Sequence, residues 1–276
     1  MLNKIIKTFS FLKKEFLPKH INANVCVIDS NELLHGKRII VTGGGRGLGY
    51  FIAKKCISEG ANVIITGRNE QTLIDSSKEL NCGYVLYDVT DFSNIKNFFA
   101  DCEKIFGGVA DCLVNNAGIS LHENNIFNVT EESFDKQFDT NLKAPYFLSK
   151  EFAERFVSSD LESGSILFIT SERGFYGDDI PYGLIKASIN SLTEGLGRRL
   201  IKNKIRVNAV APGVTASDMT GYDKNGNLYR SQASSERVYL PEEVAEVACF
   251  LLSDAAGCIS SHIVPCNNGN HLRCDW

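Results

Sequence analysis

The sequence predicts an α/β fold, a doubly wound seven-stranded parallel sheet with helices on both faces, and three observations carry that prediction. From residue 37 onward, short apolar strands alternate with helical stretches, the pattern of strand–helix–strand crossovers. The first strand runs into a glycine-rich turn that opens a helix, as a phosphate-binding βαβ unit requires. The chain has 276 residues and is 43% apolar, enough for one large domain with its own core.

The strands are expected at Arg38–Thr42, Asn62–Thr66, Gly83–Asp88, Cys112–Asn115, Ile166–Thr170, Arg206–Val210 and Ile263–Cys266. Most are near-continuous apolar runs, as strands covered on both faces must be. Helices are expected between them near 47–59, 70–80, 91–106, 132–157, 182–203 and 241–253. The polar segment Thr215–Val238 breaks the alternation and reads as a mobile flap. Residues 37–276 thus read as one α/β domain, and residues 1–36 stand apart. In that extension Leu2, Ile5, Ile6, Phe9, Leu12 and Phe16 share one helical face, with lysines mostly elsewhere. Such a basic amphipathic helix packs on its own domain or a sister subunit, lies on an anionic membrane, or meets a foreign partner.

Composition excludes several classes. A net charge of −4 offers no basic footprint, so nucleic acid is not an expected partner. Nine cysteines contain no C-x-x-C pair, which points to reduced thiols in a cytoplasmic protein. The five histidines lack metal-ligand spacing, so no metal site is expected. No apolar run reaches the ~18 residues that span a membrane. Lys7 interrupts the short apolar run at the N-terminus and no small-residue cleavage site follows, so a signal peptide is not expected.

The glycine turn is Gly43-Gly44-Gly45-Arg46-Gly47-Leu48-Gly49, preceded by Thr42. Glycines let the backbone approach a pyrophosphate, and free N–H groups at the helix start attract its charge. Where NAD-selective folds place an acid at the end of the second strand, this chain has Gly67, with Arg68 beside it and Arg46 in the loop. Two cations and no carboxylate favour NADP over NAD.

Tyr182 and Lys186 lie four residues apart, on one face of a helix. A cation ~4 Å from a phenol at an effective dielectric of ~20 is worth roughly 4 kcal/mol, which lowers a phenol pKa of about 10 by up to about three units. Ser171 closes a strand at the carboxyl edge of the sheet, where ligands bind in such folds.

Thr42–Gly49, Asp88-Val89, Asn115-Asn116-Ala117-Gly118, Asn141, Ser171, Tyr182-x-x-x-Lys186 and Pro212-Gly213 together resemble the one-domain short-chain dehydrogenases/reductases. The resemblance covers about residues 37–270 and points to the branch of 3-oxoacyl-ACP reductase-like and sugar/polyol dehydrogenases. It implies a Rossmann fold and hydride exchange between NADP(H) and a carbonyl or secondary alcohol. Tyr182 would then be the acid or base, and Ser171 would orient the carbonyl. Lys186 would serve both the phenol and the cofactor ribose, and Asn141 would hold a relay water. Asp88 and Val89 would lie near adenine, Asn115, Ala117 and Gly118 would form the cofactor floor, and Pro212, Gly213, Val214 and Thr215 would also contact the cofactor. The C-terminal elements would make subunit contacts in a homotetramer or homodimer.

The interval from Ser171 to Tyr182 is eleven residues, slightly short for that family. It carries Glu172, Arg173, Asp178 and Asp179, and the flap adds Asp223, Lys224, Arg230, Glu236 and Arg237. These charges point to a small polar substrate. An NAD-linked sugar or polyol dehydrogenase, a nucleotide-binding regulator without turnover and a membrane-recruited scaffold remain as alternatives.

Overall fold

The computed structural model describes residues 31–272. The expected amphipathic helix at the start of the chain lies outside them. The seven strands are β1 (Arg38–Thr42), β2 (Asn62–Gly67), β3 (Gly83–Leu86), β4 (Cys112–Asn115), β5 (Gly164–Ile169), β6 (Ile205–Pro212) and β7 (His262–Cys266). They pair in parallel in the order β3-β2-β1-β4-β5-β6-β7. The order reverses between β1 and β4, which opens the crevice where doubly wound sheets take ligands.

Among the described residues, the α-helices that flank the sheet are α1 (Gly47–Ser58), α2 (Glu70–Leu80), α3 (Ile95–Phe106), α4 (Glu131–Phe138), α5 (Ala144–Val157), α6 (Pro181–Leu200) and α7 (Pro241–Leu252). The two-residue period of a strand divides the core. Ile39, Val41, Val63, Ile65 and Val114 face one cluster, with Ile52 and Cys56 of α1 and Val244 and Leu251 of α7. Ile40, Ile64, Leu113, Ile166 and Phe168 face the other, with Phe98 of α3, Phe152 and Phe156 of α5, and Ile185 and Ile189 of α6. Leu34 is also fully buried, its N–H bonded to the Glu59 carbonyl at 2.9 Å. Arg206, buried on β6, donates to the carbonyls of Leu251, Leu252 and Ser253, closing the C-terminus of α7 with a cation where unpaired carbonyls need one.

One expected helix is divided. Residues 132–157 read as continuous, but a π-turn, Asp139–Lys143, separates α4 from α5. Pro145 has no N–H for the Asn141 carbonyl four residues back, and its ring collides with that carbonyl in α geometry. The helix therefore widens, and the Ala144 N–H reaches the Asp139 carbonyl five residues back.

Candidate active site

The turn after β1 is built by close backbone approach. Gly43 (φ +63°) and Gly47 (φ +56°) occupy the left-handed region that favours glycine. A Cβ on Gly49 would stand 2.4 Å from both the Gly43 carbonyl oxygen and Asn116 Nδ2, and one on Gly44 would meet Ile65 at 2.7 Å. Gly45 passes 3.2 Å from the Thr72 methyl by the same measure, and Leu48 packs against the adjoining core. The Thr42 hydroxyl donates to the Val114 carbonyl and accepts from the N–H groups of Asn116 and Ala117, while Asn116 Nδ2 donates to the carbonyls of Thr42 and Gly43. The ends of β1 and β4 are locked together by this network. Arg46 caps α1 in an extended conformation with no side-chain hydrogen bond to the helix. The first N–H groups of α1 are therefore available to an anion, and this cradle fits a dinucleotide pyrophosphate.

Around the cradle the expected cofactor residues occupy three further turns. Asp88 accepts from the Thr90 N–H and hydroxyl, and Val89 is buried beside it. Ala117 and Gly118 follow β4, and a Cβ on Gly118 would meet Asn141 Oδ1 at 3.3 Å. Asn115 is buried and donates to Ser149 of α5 at 3.0 Å, so it ties sheet to helix. At the end of β6, Pro212 is followed by Gly213, whose N–H bonds the Cys266 carbonyl, and the Val214 carbonyl accepts from the Tyr239 N–H. Thr215 donates to the Gly213 carbonyl. Residues 216–218 and 221–224 of the flap, Gly47 and Phe51 of α1 and Pro241 of α7 border a cleft of about 400 Å³. Arg46 is mostly exposed and sits 3.5 Å from Asp218 of the flap. Arg68 is exposed after β2. A side chain on Gly67 would meet only Leu73, at 3.7 Å.

The turn after β5 is held by side chains instead. Ser171 caps the short 3₁₀ segment Glu172–Phe175, its hydroxyl accepting from the Arg173 N–H at 3.2 Å. Its hydroxyl also favours the charged form of the Tyr182 phenol, which sits in the first turn of α6. Arg173 grips Asp178 with two bonds of 2.6 and 2.7 Å, and that carboxylate accepts from the Ile180 N–H just ahead of α6. Thr170 donates to the Lys186 carbonyl and to Asn190 Oδ1, and Asn190 in turn donates to the Gly174 carbonyl. A Cβ on Gly174 would stand 2.9 Å from the Lys186 carbonyl. The ladder seats α6 against the end of β5, and sequence reasoning missed it. Gly174, where no glycine motif called for one, was the available signal.

One expectation changes here. Lys186 was expected to pull the Tyr182 phenol down. Instead, burial holds the phenol above its ordinary value, against smaller downward contributions from Ser171 and Arg173. The lysine is buried, donates to the Ile169 carbonyl at 2.9 Å and lies 5.5 Å from the Tyr182 ring centre. Burial lowers its own pKa from 10.5 to about 8. Asn141, expected to hold a relay water, is buried in the π-turn, where its side-chain amide is fixed. Both ends of that amide are committed to Ile119, Oδ1 accepting its N–H at 2.8 Å and Nδ2 donating to its carbonyl at 2.7 Å.

Several charges that pointed to a polar substrate are engaged elsewhere. Lys224 pairs with Glu242, Arg237 with Glu243 and Arg173 with Asp178.

The family described as enoyl-(acyl carrier protein) reductase matches residues 43–271. The chain is 33% identical over 248 residues to the 3-oxoacyl-[acyl-carrier-protein] reductase FabG of Chlamydia muridarum, covering 87% of this chain and 99% of that one. It is 33% identical over 243 residues to a 3alpha-hydroxysteroid dehydrogenase of Mediterraneibacter gnavus, covering 84% and 96%. The 3-ketoacyl-(acyl-carrier-protein) reductase of Brucella melitensis, complexed with NADH, superposes with a TM-score of 0.80 at 26% identity, over 87% of this chain and 100% of that one. A short-chain type dehydrogenase/reductase of Mycobacterium ulcerans gives a TM-score of 0.80 at 26% identity, over 87% and 91%. The chain belongs to the short-chain dehydrogenase/reductase family and is an oxidoreductase of that family.

Proposed function

We propose that this member of the short-chain dehydrogenase/reductase family interconverts a carbonyl and a secondary alcohol on a small polar substrate with NADP(H), using Tyr182 as the acid in reduction and the base in oxidation. The observation that carries the reading is that the Ser171 hydroxyl acts on the Tyr182 phenol, favouring its charged form, with the buried Lys186 Nζ 5.5 Å from the phenol ring, at the same sheet edge as the glycine cradle. The glycine cradle would hold a nicotinamide dinucleotide, which would supply or take up the hydride. An alkoxide developing at the substrate oxygen needs a proton and a fixed donor. The Ser171 hydroxyl is the donor and the Tyr182 phenol gives the proton. Lys186, with Nζ anchored on the Ile169 carbonyl, carries two further donor hydrogens for the ribose hydroxyls and the phenolate. Asn141 holds the Ile119 loop with its side chain, which leaves the relay water to its main-chain carbonyl opposite Pro145.

Gly67, Arg46 and Arg68 support NADP, since no carboxylate at the end of β2 meets a 2′-phosphate. The NADH carried by the Brucella relative favours a second reading, an NAD-linked sugar or polyol dehydrogenase. Exposed Phe134, Tyr146 and Phe147 on α4 and α5 support a homodimer or homotetramer.

The test is a turnover screen of ketones, oxo acids, sugars and polyols with both cofactors. NADPH is expected to exceed NADH in kcat/KM, and Gly67→Asp to shift the preference toward NADH by about tenfold, the cost of setting a carboxylate against the 2′-phosphate. A native preference for NADH would establish the second reading, and no turnover on any carbonyl or alcohol would remove both.

A further inference from the structure

The proton site leaves one buried carboxylate unused. Glu172, next to Ser171, is 9% exposed, and Oε2 accepts from Asn267 Nδ2 and from Asn270 Nδ2, each at 3.0 Å. A buried carboxylate without hydrogen bonds or a counter-charge is costly, so these amides are what keeps it in place. Their convergence has a local cause. Asn268 (φ 47°) and Gly269 (φ 77°) are both left-handed, and the Asn270 N–H closes on the Asn267 carbonyl at 2.9 Å. Left-handed central residues with Asn-Gly at the tip are the chemistry of a type I′ turn. The turn brings the first and fourth side chains onto one oxygen.

Beyond that oxygen the same turn holds the flap. Asn270 Oδ1 accepts from both the N–H and the hydroxyl of Ser234, at 3.0 and 3.1 Å. The segment after Ser171 grips the turn a second time, for the Tyr176 hydroxyl donates to the Asn270 carbonyl at 3.1 Å and Phe175 lies against the His271 ring at 4.9 Å. Asn267, nearly fully buried, also packs within 3.0 Å of where a Gly213 Cβ would stand, at the root of the flap.

We propose that Glu172 is a positioning residue that couples the Ser171 segment to the flap through the 267–270 turn, setting how firmly the flap seats over the substrate. The function of that seat rests on the oxidoreductase reading, while the mechanical coupling does not. The carboxylate fixes the Asn270 amide nitrogen, which aims the amide oxygen at Ser234. Loss of the carboxylate frees the turn, and the flap loses its anchor while the glycine cradle, tied by Thr42 and Asn116, stays intact.

Hydrogen–deuterium exchange on the full chain, for the wild type, Glu172→Gln, Glu172→Ala and Asn270→Ala, tests the coupling. Exchange across residues 228–238 is expected to rise about tenfold in both alanine variants, the worth of one charge-assisted hydrogen bond, with residues 38–49 unchanged. Glu172→Gln keeps an acceptor oxygen and is expected to fall between wild type and alanine. With a substrate from the screen, KM is expected to rise about tenfold while kcat and cofactor Kd stay within about twofold. Unchanged flap exchange in either folded alanine variant would overturn the proposal. So would faster exchange spread evenly over the sheet, which would leave Glu172 a purely structural role. Should Glu172→Ala fail to fold, Asn270→Ala decides alone. A wild type that turns over nothing removes the oxidoreductase reading and leaves the exchange result standing.

Discussion

The turn after β1 and the turn after β5 sit two strands apart on the same sheet edge, and they are built by opposite means. After β1, backbone meets backbone: Gly49 and Gly43 approach so closely that a methyl group would strike a carbonyl oxygen at 2.4 Å. After β5, side chains do the holding, through Thr170 on Asn190, Asp178 on Arg173, and Glu172 on the asparagines of the 267–270 turn. A site made of backbone suits a constant ligand such as a pyrophosphate. A site made of side chains changes with each substitution, which is how one fold serves many substrates.

The contrast is open to direct attack. Ser171→Ala strikes the side-chain end and is expected to lower kcat/KM by about 10²–10³, the usual loss for one oxyanion donor, with cofactor Kd unchanged. A comparable loss of cofactor affinity would show that the two ends are not independent.

Lys186 gives the next largest effect, seen in the free enzyme through pH. A pKa lowered from 10.5 to about 8 means that the folded protein binds fewer protons than the unfolded chain between those values. Stability attributable to Lys186 therefore rises with pH across about 8 to 10.5 and is lost as pH falls through 8. The span amounts to roughly 3.5 kcal/mol at ~1.4 kcal/mol per pH unit. Urea midpoints of the wild type and Lys186→Met, compared from pH 7 to 11, are expected to diverge in that window in favour of the wild type. Parallel curves would place the lysine in a solvated setting.

Gly49→Ala strikes the backbone end. It is expected to cost about 1–3 kcal/mol of unfolding free energy through overpacking, and to weaken cofactor binding more than it weakens catalysis by bound complex. Unaltered stability and cofactor Kd would show that the cradle yields.

The same contrast governs what the sequence reveals. All seven strands and the glycine cradle were legible, because they depend on apolar runs and on neighbours a few residues apart. The division of the 132–157 helix was signalled by Pro145, whose missing N–H faces Asn141, but apolar periodicity overrode that signal. The Glu172 network was not legible at all, since it joins residues 95 and 98 positions apart that nothing local relates. The reversal at Tyr182 has a similar origin. Helical spacing put Lys186 on the right face, yet only the fold determines that burial outweighs it and that the ammonium anchors on Ile169.

The central claim is that Tyr182 moves the proton. Single-turnover oxidation of bound NADPH by the best carbonyl from the screen, in the wild type and in Tyr182→Phe, tests it most directly. A loss of about 10²–10⁴ in the rate of that step, with cofactor and substrate binding unchanged, is the predicted result. Equal rates in the two proteins would contradict the assignment.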